Sequence, residues 1–146
     1  MKLTRFTDYS LRVLIYLGLK ENGRVTIREI SDAYGISRNH LMKVVSLLTR
    51  LKYLDARRGP GGGIALARSP SEINVADVVR DMEDDLNLVE CFCDGGACVI
   101  KPMCELKTAL NKALTAYLNT LEQYTLNDLL KPSDQLVKVF GLTKTA

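Results

Sequence analysis

The pattern of apolar and polar positions divides the chain into helical runs, one hairpin and a stretch with no period. Leu11, Leu14, Ile15 and Gly18 recur at i, i+3, i+4 and i+7, which predicts an amphipathic helix. Its expected cap is the Thr7 hydroxyl, with Asp8 in the first turn where the helix dipole favours an anion, and Asn22-Gly23 as the stop. Thr26-Ile-Arg-Glu29 has the form of a capping box and opens a second helix that buries Ile27, Ile30 and Tyr34. Gly35 breaks this helix, Ile36 packs inward, and Ser37 caps a third helix with Leu41, Val44, Val45, Leu48 and Leu51 on its inner face. Two helices joined by a glycine-containing turn make a helix-turn-helix unit.

After Lys52 the pattern changes. Two short strands, Tyr53-Leu-Asp-Ala-Arg-Arg58 and Ile64-Ala-Leu-Ala-Arg68, flank Gly59-Pro60-Gly61-Gly62-Gly63, a hairpin tip whose backbone angles other residues would resist. The order helix, helix, helix, two strands is that of a winged helix. Ser69-Pro70-Ser71 punctuates the chain, and Asn74 caps a short helix carrying Val75, Val78, Val79 and Met82. The acidic patch Glu83-Asp84-Asp85 then leads into a segment whose glycines and proline argue for a loop. Beyond it, Met103, Leu106, Leu110, Ala113, Tyr117, Leu121 and Tyr124 recur at spacings of 3 or 4, which predicts a long helix with an apolar seam. Thr125 caps a last short helix, Leu126 to Leu130, before Pro132, and residues 131–146 are expected to form a loosely held, flexible tail.

Composition narrows the class. At 146 residues, with 47% hydrophobic and 25% charged residues, the chain suits one compact soluble domain, or a small domain plus an appendage. The longest charge-free apolar run, Val13 to Leu19, falls far short of the ~20 residues that cross a bilayer. Asp8 and Arg12 interrupt any secretory core, so a cytoplasmic protein with no membrane partner is expected. Charge is divided unevenly: residues 1–80 carry 14 Lys/Arg against 7 Asp/Glu, whereas residues 81–146 carry 6 against 10. A basic N-terminal half points to a polyanion, because phosphate neutralisation supplies most non-specific nucleic-acid affinity. If the third helix enters a major groove, Ser37, Arg38, Asn39, His40 and Lys43 lie where they reach base edges and phosphates. Arg57, Arg58, Gly61 and Gly62 of the wing lie along an adjacent backbone.

All four cysteines, Cys91, Cys93, Cys98 and Cys104, fall within one short segment. Clustered thiols in a reducing compartment are more often ligands or redox groups than staples. Their gaps of 1, 4 and 5 residues lack the paired Cys-x-x-Cys knuckles of zinc ribbons, which favours an iron-sulfur cluster over zinc or a thiol-redox switch. The glycine loop lacks the Gly-Lys-Ser/Thr ending of a phosphate loop. With a single histidine, and no paired carboxylates or nucleophile motif, the chain is not expected to be an enzyme.

Several motifs resemble those of the bacterial winged-helix regulators that bind iron-sulfur clusters, in particular their nitric-oxide-sensitive repressors. They are Met1-x-Leu-Thr-x-Phe-Thr-Asp-Tyr9, Tyr34-Gly-x-Ser-Arg-Asn-His40, Arg58-Gly-x-x-Gly-Gly-Ile64, Leu88-Val-Glu-Cys91, Cys98, Pro102-x-Cys104 and Tyr124-Thr-Leu-x-Asp-Leu129. The resemblance covers nearly the whole chain. It implies a winged helix-turn-helix DNA-binding domain at 1–82, a cluster-binding loop at 83–104, and a dimerisation helix with a short terminal helix at 103–130. It also implies a homodimer on a palindromic operator in double-stranded DNA, with nitric oxide as the signal that destroys or nitrosylates the cluster and so releases DNA. The implied ligands are Cys91, Cys98 and Cys104, with Asp8 of the partner subunit, around a [4Fe-4S] cluster in preference to [2Fe-2S]. Cys93 departs from the pattern as a fourth thiol and is the alternative ligand, in place of Asp8 or of Cys91. The other readings are a regulator of cluster biogenesis or redox state within the same family, and a zinc or thiol interaction module. From the residues alone, Asp8 is equally a first-turn anion paired with Arg12 at i+4.

Overall fold

The computed structural model describes residues 2–20, 23–92 and 98–142, with the side chains of Cys91 and Lys101 outside that description. Seven α-helices and one two-stranded sheet are present among them. Helix α1 spans Arg5–Leu19 and begins two residues before the expected start, because Thr4 and not Thr7 is its cap: the Thr4 hydroxyl accepts from the Thr7 amide at 3.2 Å. Thr7 is fully buried, and its hydroxyl donates to Glu83 Oε1 at 2.5 Å. The core face of α1 is Thr7, Ser10, Val13, Leu14, Tyr16 and Leu17. Leu11, Ile15 and Gly18, expected on that face, are only half buried. The difference has a packing cause: α1 lies between α3, α4, α6, α7 and β2, so neighbours cover it on several sides and no single stripe marks its interior.

Helix α2 (Ile27–Tyr34) opens with the expected capping box. The Glu29 amide donates to Thr26 Oγ1 at 3.2 Å and the Thr26 amide to Glu29 Oε2 at 3.1 Å. Gly35 closes it at φ 65°, a left-handed angle that glycine adopts without strain. Helix α3 (Arg38–Arg50) follows, with Leu41, Val44, Val45 and Leu48 buried. Ser37 occupies its cap position, but its side chain makes no capping hydrogen bond.

Strands β1 (Leu54–Arg57) and β2 (Gly63–Leu66) pair antiparallel, in a register running from Leu54 opposite Leu66 to Arg57 opposite Gly63. Tyr53, Leu54 and Ile64 root this wing in the core. An isolated bridge between Val25 and Ile64 fastens it to the chain ahead of α2. Arg24 adds three contacts to that junction, donating to the carbonyls of Asp55 and Gly63, each at 3.0 Å, and pairing with the Asp55 carboxylate.

Helix α4 (Val75–Met82) is capped by Asn74, whose Oδ1 accepts from the Ala76 amide at 2.9 Å. Helix α5 (Glu105–Glu122) packs against α4 and has no fully buried residue. Its far end is clipped to α4, since Asn74 Nδ2 donates to the Glu122 carbonyl at 2.7 Å and Arg80 pairs with the Glu122 carboxylate. Helix α6 (Leu126–Leu129) also opens with a capping box, Thr125 with Asp128. The Lys131 ammonium, at 2.7 Å, and the Thr125 contacts hold the Asp128 carboxyl well below the usual range. Beyond it, within the segment expected to be a loose tail, Ser133–Val139 forms α7, and the Phe140 ring sits 5.4 Å from Tyr16 and 5.0 Å from Tyr34, both edge-on; residues 143–146 of that segment lie outside the described residues. Burial of this aromatic trio offsets the ordering of a segment whose seven-residue helix is too short to show a clear period.

Candidate nucleic-acid interface and thiol site

The helix-turn-helix presents its second helix outward. Ser37, Arg38, Asn39, His40 and Lys43 are all exposed at the start of α3, which carries no Asp or Glu along its 13 residues. The inner face of α3 rests on α1 and α2, so the outward direction of these side chains follows from the apolar spacing of Leu41, Val44, Val45 and Leu48. The His40 ring lies 6.2 Å from that of Tyr9 on α1.

In the wing, Arg57, Arg58 and Gly61 are exposed and Gly62 is half buried. Arg57 Nε lies 3.3 Å from Asp55 Oδ2, so one carboxylate serves both Arg24 and Arg57. Arg24 and Arg57 together hold the Asp55 carboxyl below its ordinary value, the Arg24 hydrogen bond being the main cause. Gly61 has φ 71°, and a Cβ on Gly62 would stand 2.5 Å from the Arg57 carbonyl oxygen and 2.7 Å from that of Gly59. The tip therefore requires glycine at 61 for conformation and at 62 for space.

Asp8 is fully engaged within its own chain. Arg12 Nε donates to Asp8 Oδ1 at 3.0 Å and a second guanidinium nitrogen lies 2.9 Å from Oδ2, a two-pronged i, i+4 pair with both side chains more than two-fifths exposed. The Arg12 guanidinium lies 5.8 Å from the centre of the Tyr34 ring and 6.0 Å from that of Tyr9. Burial pushes the Tyr34 hydroxyl up to about 12, and it donates to the Arg12 carbonyl at 3.1 Å.

Of the thiols, Cys98 is exposed and Cys104 half buried at the cap of α5, both free. Cys93 lies outside the described residues, and Cys91 is described by its backbone alone, in a single 3-10 turn at Glu90–Phe92. Among the described residues no three His, Cys, Asp or Glu side chains converge into a metal-binding group. Cys98 and Cys104 are not joined to each other and remain open to a soft metal, so the donors fit an iron-sulfur cluster in kind.

Two functional connections escape the sequence pattern. Glu83, first residue of the acidic patch, turns inward: its Oε1 accepts from the Thr4 amide at 2.8 Å and from the hydroxyls of Thr7 and Thr4. It thereby fastens the root of the cysteine segment to the N-terminal end of α1, the end that holds Asp8. Arg24, which anchors the wing, also stands alone in the sequence. Neither belongs to a local motif, and only the partners far along the chain reveal their roles.

Residues 3–132 match the Rrf2 family, described as iron-dependent transcriptional regulators. The HTH-type transcriptional regulator NsrR of Bacillus licheniformis is 52% identical over 97% of this chain and 100% of its own length. NsrR of Bacillus subtilis is 51% identical over 97% and 99%. Among solved structures, CymR, the global cysteine regulator of B. subtilis, has a TM-score of 0.73 at 25% identity, covering 88% of this chain and 95% of its own. IscR of T. potens has a TM-score of 0.75 at 23% identity, covering 93% and 90%, and so shares the fold. With all but the last helix and its flanks inside the match, the chain belongs to the Rrf2 family of iron-dependent transcriptional regulators.

Proposed function

We propose that this regulator is a homodimeric, DNA-binding repressor in the cytoplasm that responds to nitric oxide through an iron-sulfur cluster. Residues 1–82 are assigned to DNA, 83–104 to the cluster and 103–130 to dimerisation. The observation that carries the reading is the joining of two surfaces by one helix: α1 supports the exposed, carboxylate-free face of α3 and, through Thr4, Thr7 and Glu83, holds the root of the cysteine segment.

Cys91, Cys98 and Cys104, with Asp8 of the partner subunit, are the proposed ligands of a [4Fe-4S] cluster in preference to [2Fe-2S]. Bound there, such a cluster would supply iron reactive towards nitric oxide. The residues of this chain do the rest. Arg12 holds Asp8 in place by a two-pronged pair, releasing one carboxylate oxygen when a stronger cation competes. Arg38, Asn39, His40 and Lys43, with Ser37 at the cap, meet base edges and phosphates. Arg57 and Arg58, with the bare amides of Gly61 and Gly62, meet the flanking backbone. Any difference in DNA affinity between the two states of the thiol loop suffices for a switch.

The test is anaerobic purification with iron and sulfide analysis, selection of duplexes from a random pool, and nitric oxide titration. Expected are iron and sulfide in equal amounts, an enriched inverted repeat, and weakened binding to it as nitric oxide is added. Arg38→Ala should cost roughly 1–3 kcal/mol and relax preference at one base position. Zinc in place of iron, or affinity indifferent to nitric oxide, would overturn the reading.

A further inference from the structure

Met42 is a large apolar side chain that α3 leaves 52% exposed, and no core contact accounts for it. It lies in an open groove between α1 and the outer side of α3, lined by Phe6, Asn39, Met42, Lys43, Leu47 and Arg50. Lys43 and Arg50 stand among these residues and no carboxylate does. Asn39, Met42 and Ser46 follow one another at spacings of 3 and 4, so they form one stripe along the helix, with Lys43 beside Met42. Phe6 and Leu47, both half buried, are packed against the core and back the stripe.

An apolar side chain set between an amide, a hydroxyl and cations is an unusual surface for an apolar protein partner, which would leave Lys43 and Arg50 without counter-charges. It does match the major groove of B-DNA. There thymine presents a C5-methyl beside hydrogen-bonding base edges, with phosphates along both walls. We propose that Met42 is a specificity-determining residue that packs on a thymine methyl in the operator, while Lys43 and Arg50 take phosphates on either side. This deepens the DNA-binding reading above and rests on it.

The test replaces each thymine of the selected duplex by deoxyuridine, one at a time, removing only the methyl group. Affinities are measured at fixed salt for the full-length wild-type protein, Met42→Ala and Lys43→Ala. Expected is at least one position per half-site where deoxyuridine weakens the wild type about 3- to 5-fold, the effect of uncovering about one methyl. Met42→Ala should be indifferent to the change at that position. Lys43→Ala should keep the sensitivity while its salt dependence falls by about one phosphate contact. Identical deoxyuridine profiles for the wild type and Met42→Ala would overturn the assignment and leave the DNA-binding reading intact. If Met42→Ala instead changes the sedimentation of the free protein from that of the wild type, the groove is an interface between copies and the proposal fails. If no duplex is enriched at all, the DNA-binding reading falls first.

Discussion

Asp8 carries one observed role and one proposed role, which belong to different states of the molecule. In the single chain it is bound to Arg12 by both oxygens, yet both side chains are more than two-fifths exposed, where such pairs contribute about 0–1 kcal/mol. Asp8→Ala should therefore move the thermal midpoint of the cluster-free protein little. If Asp8 also completes the cluster of the partner subunit, the same substitution shortens the lifetime of the cluster under air several-fold, followed as the decay of its visible absorption. Equal decay rates would remove Asp8 from the ligand set and leave Cys93 to fill the place. Glu83 makes the complementary point: a residue of an apparently solvated acidic run is tied to Thr4 and Thr7, and only the fold brings these groups together.

At the scale of elements, local chemistry was legible at most signals complete within a few residues. The Thr26–Glu29 box, the Gly35 stop, the inner face of α3, the Asn74 cap and the glycine tip all appear as their residues dictate. Two local caps were misjudged, Thr7 standing three residues from the true cap Thr4 and Ser37 making no capping bond, and the other misjudged features are decided by distant neighbours. The buried face of α1 depends on five surrounding elements, and α7 is ordered by Tyr16 and Tyr34, more than a hundred residues earlier in the chain. The candidate site divides likewise: exposure of Arg38, Asn39, His40 and Lys43 follows from helical spacing, whereas the Arg24 anchor does not. The wing tip offers a test. Gly62→Ala places a Cβ against two backbone carbonyls that cannot yield, so the hairpin must open. Expected is a loss of roughly 1–3 kcal/mol in urea unfolding. Operator affinity should fall with it, while the cluster content is unchanged. A wild-type unfolding midpoint would show that the tip adapts without cost.

For the whole molecule, the main question is what covers α5. Met103 and Leu106 are 83% and 65% exposed, Val99 and Ile100 just before them 95% and 59%, and Leu110, Tyr117 and Leu121 are half buried. The exposed apolar residues before α5 and the half-buried ones along it are the surface that the proposed second copy would cover, and it fits their repeat of 3 and 4. Leu106→Asp should leave the helical signal intact, because the side chain touches little in the single chain. It should lower the sedimentation coefficient to that of a monomer at micromolar concentration. Operator affinity then falls by more than tenfold, since two half-sites are no longer bound by linked modules. A dimer that survives the substitution would move the interface elsewhere.

Helix α1 has the cysteine segment fastened to its first turn through Glu83, while the chain leaving its last turn leads within a few residues to Arg24 and the wing. Its 15 residues make a lever arm ~22 Å long. A tilt of about 5° about one end displaces the other by ~2 Å, more than the slack between a formed hydrogen bond and a broken one. If the proposed cluster shifts the thiol end, a tilt of that size would carry the change along α1 to Arg24 and the wing.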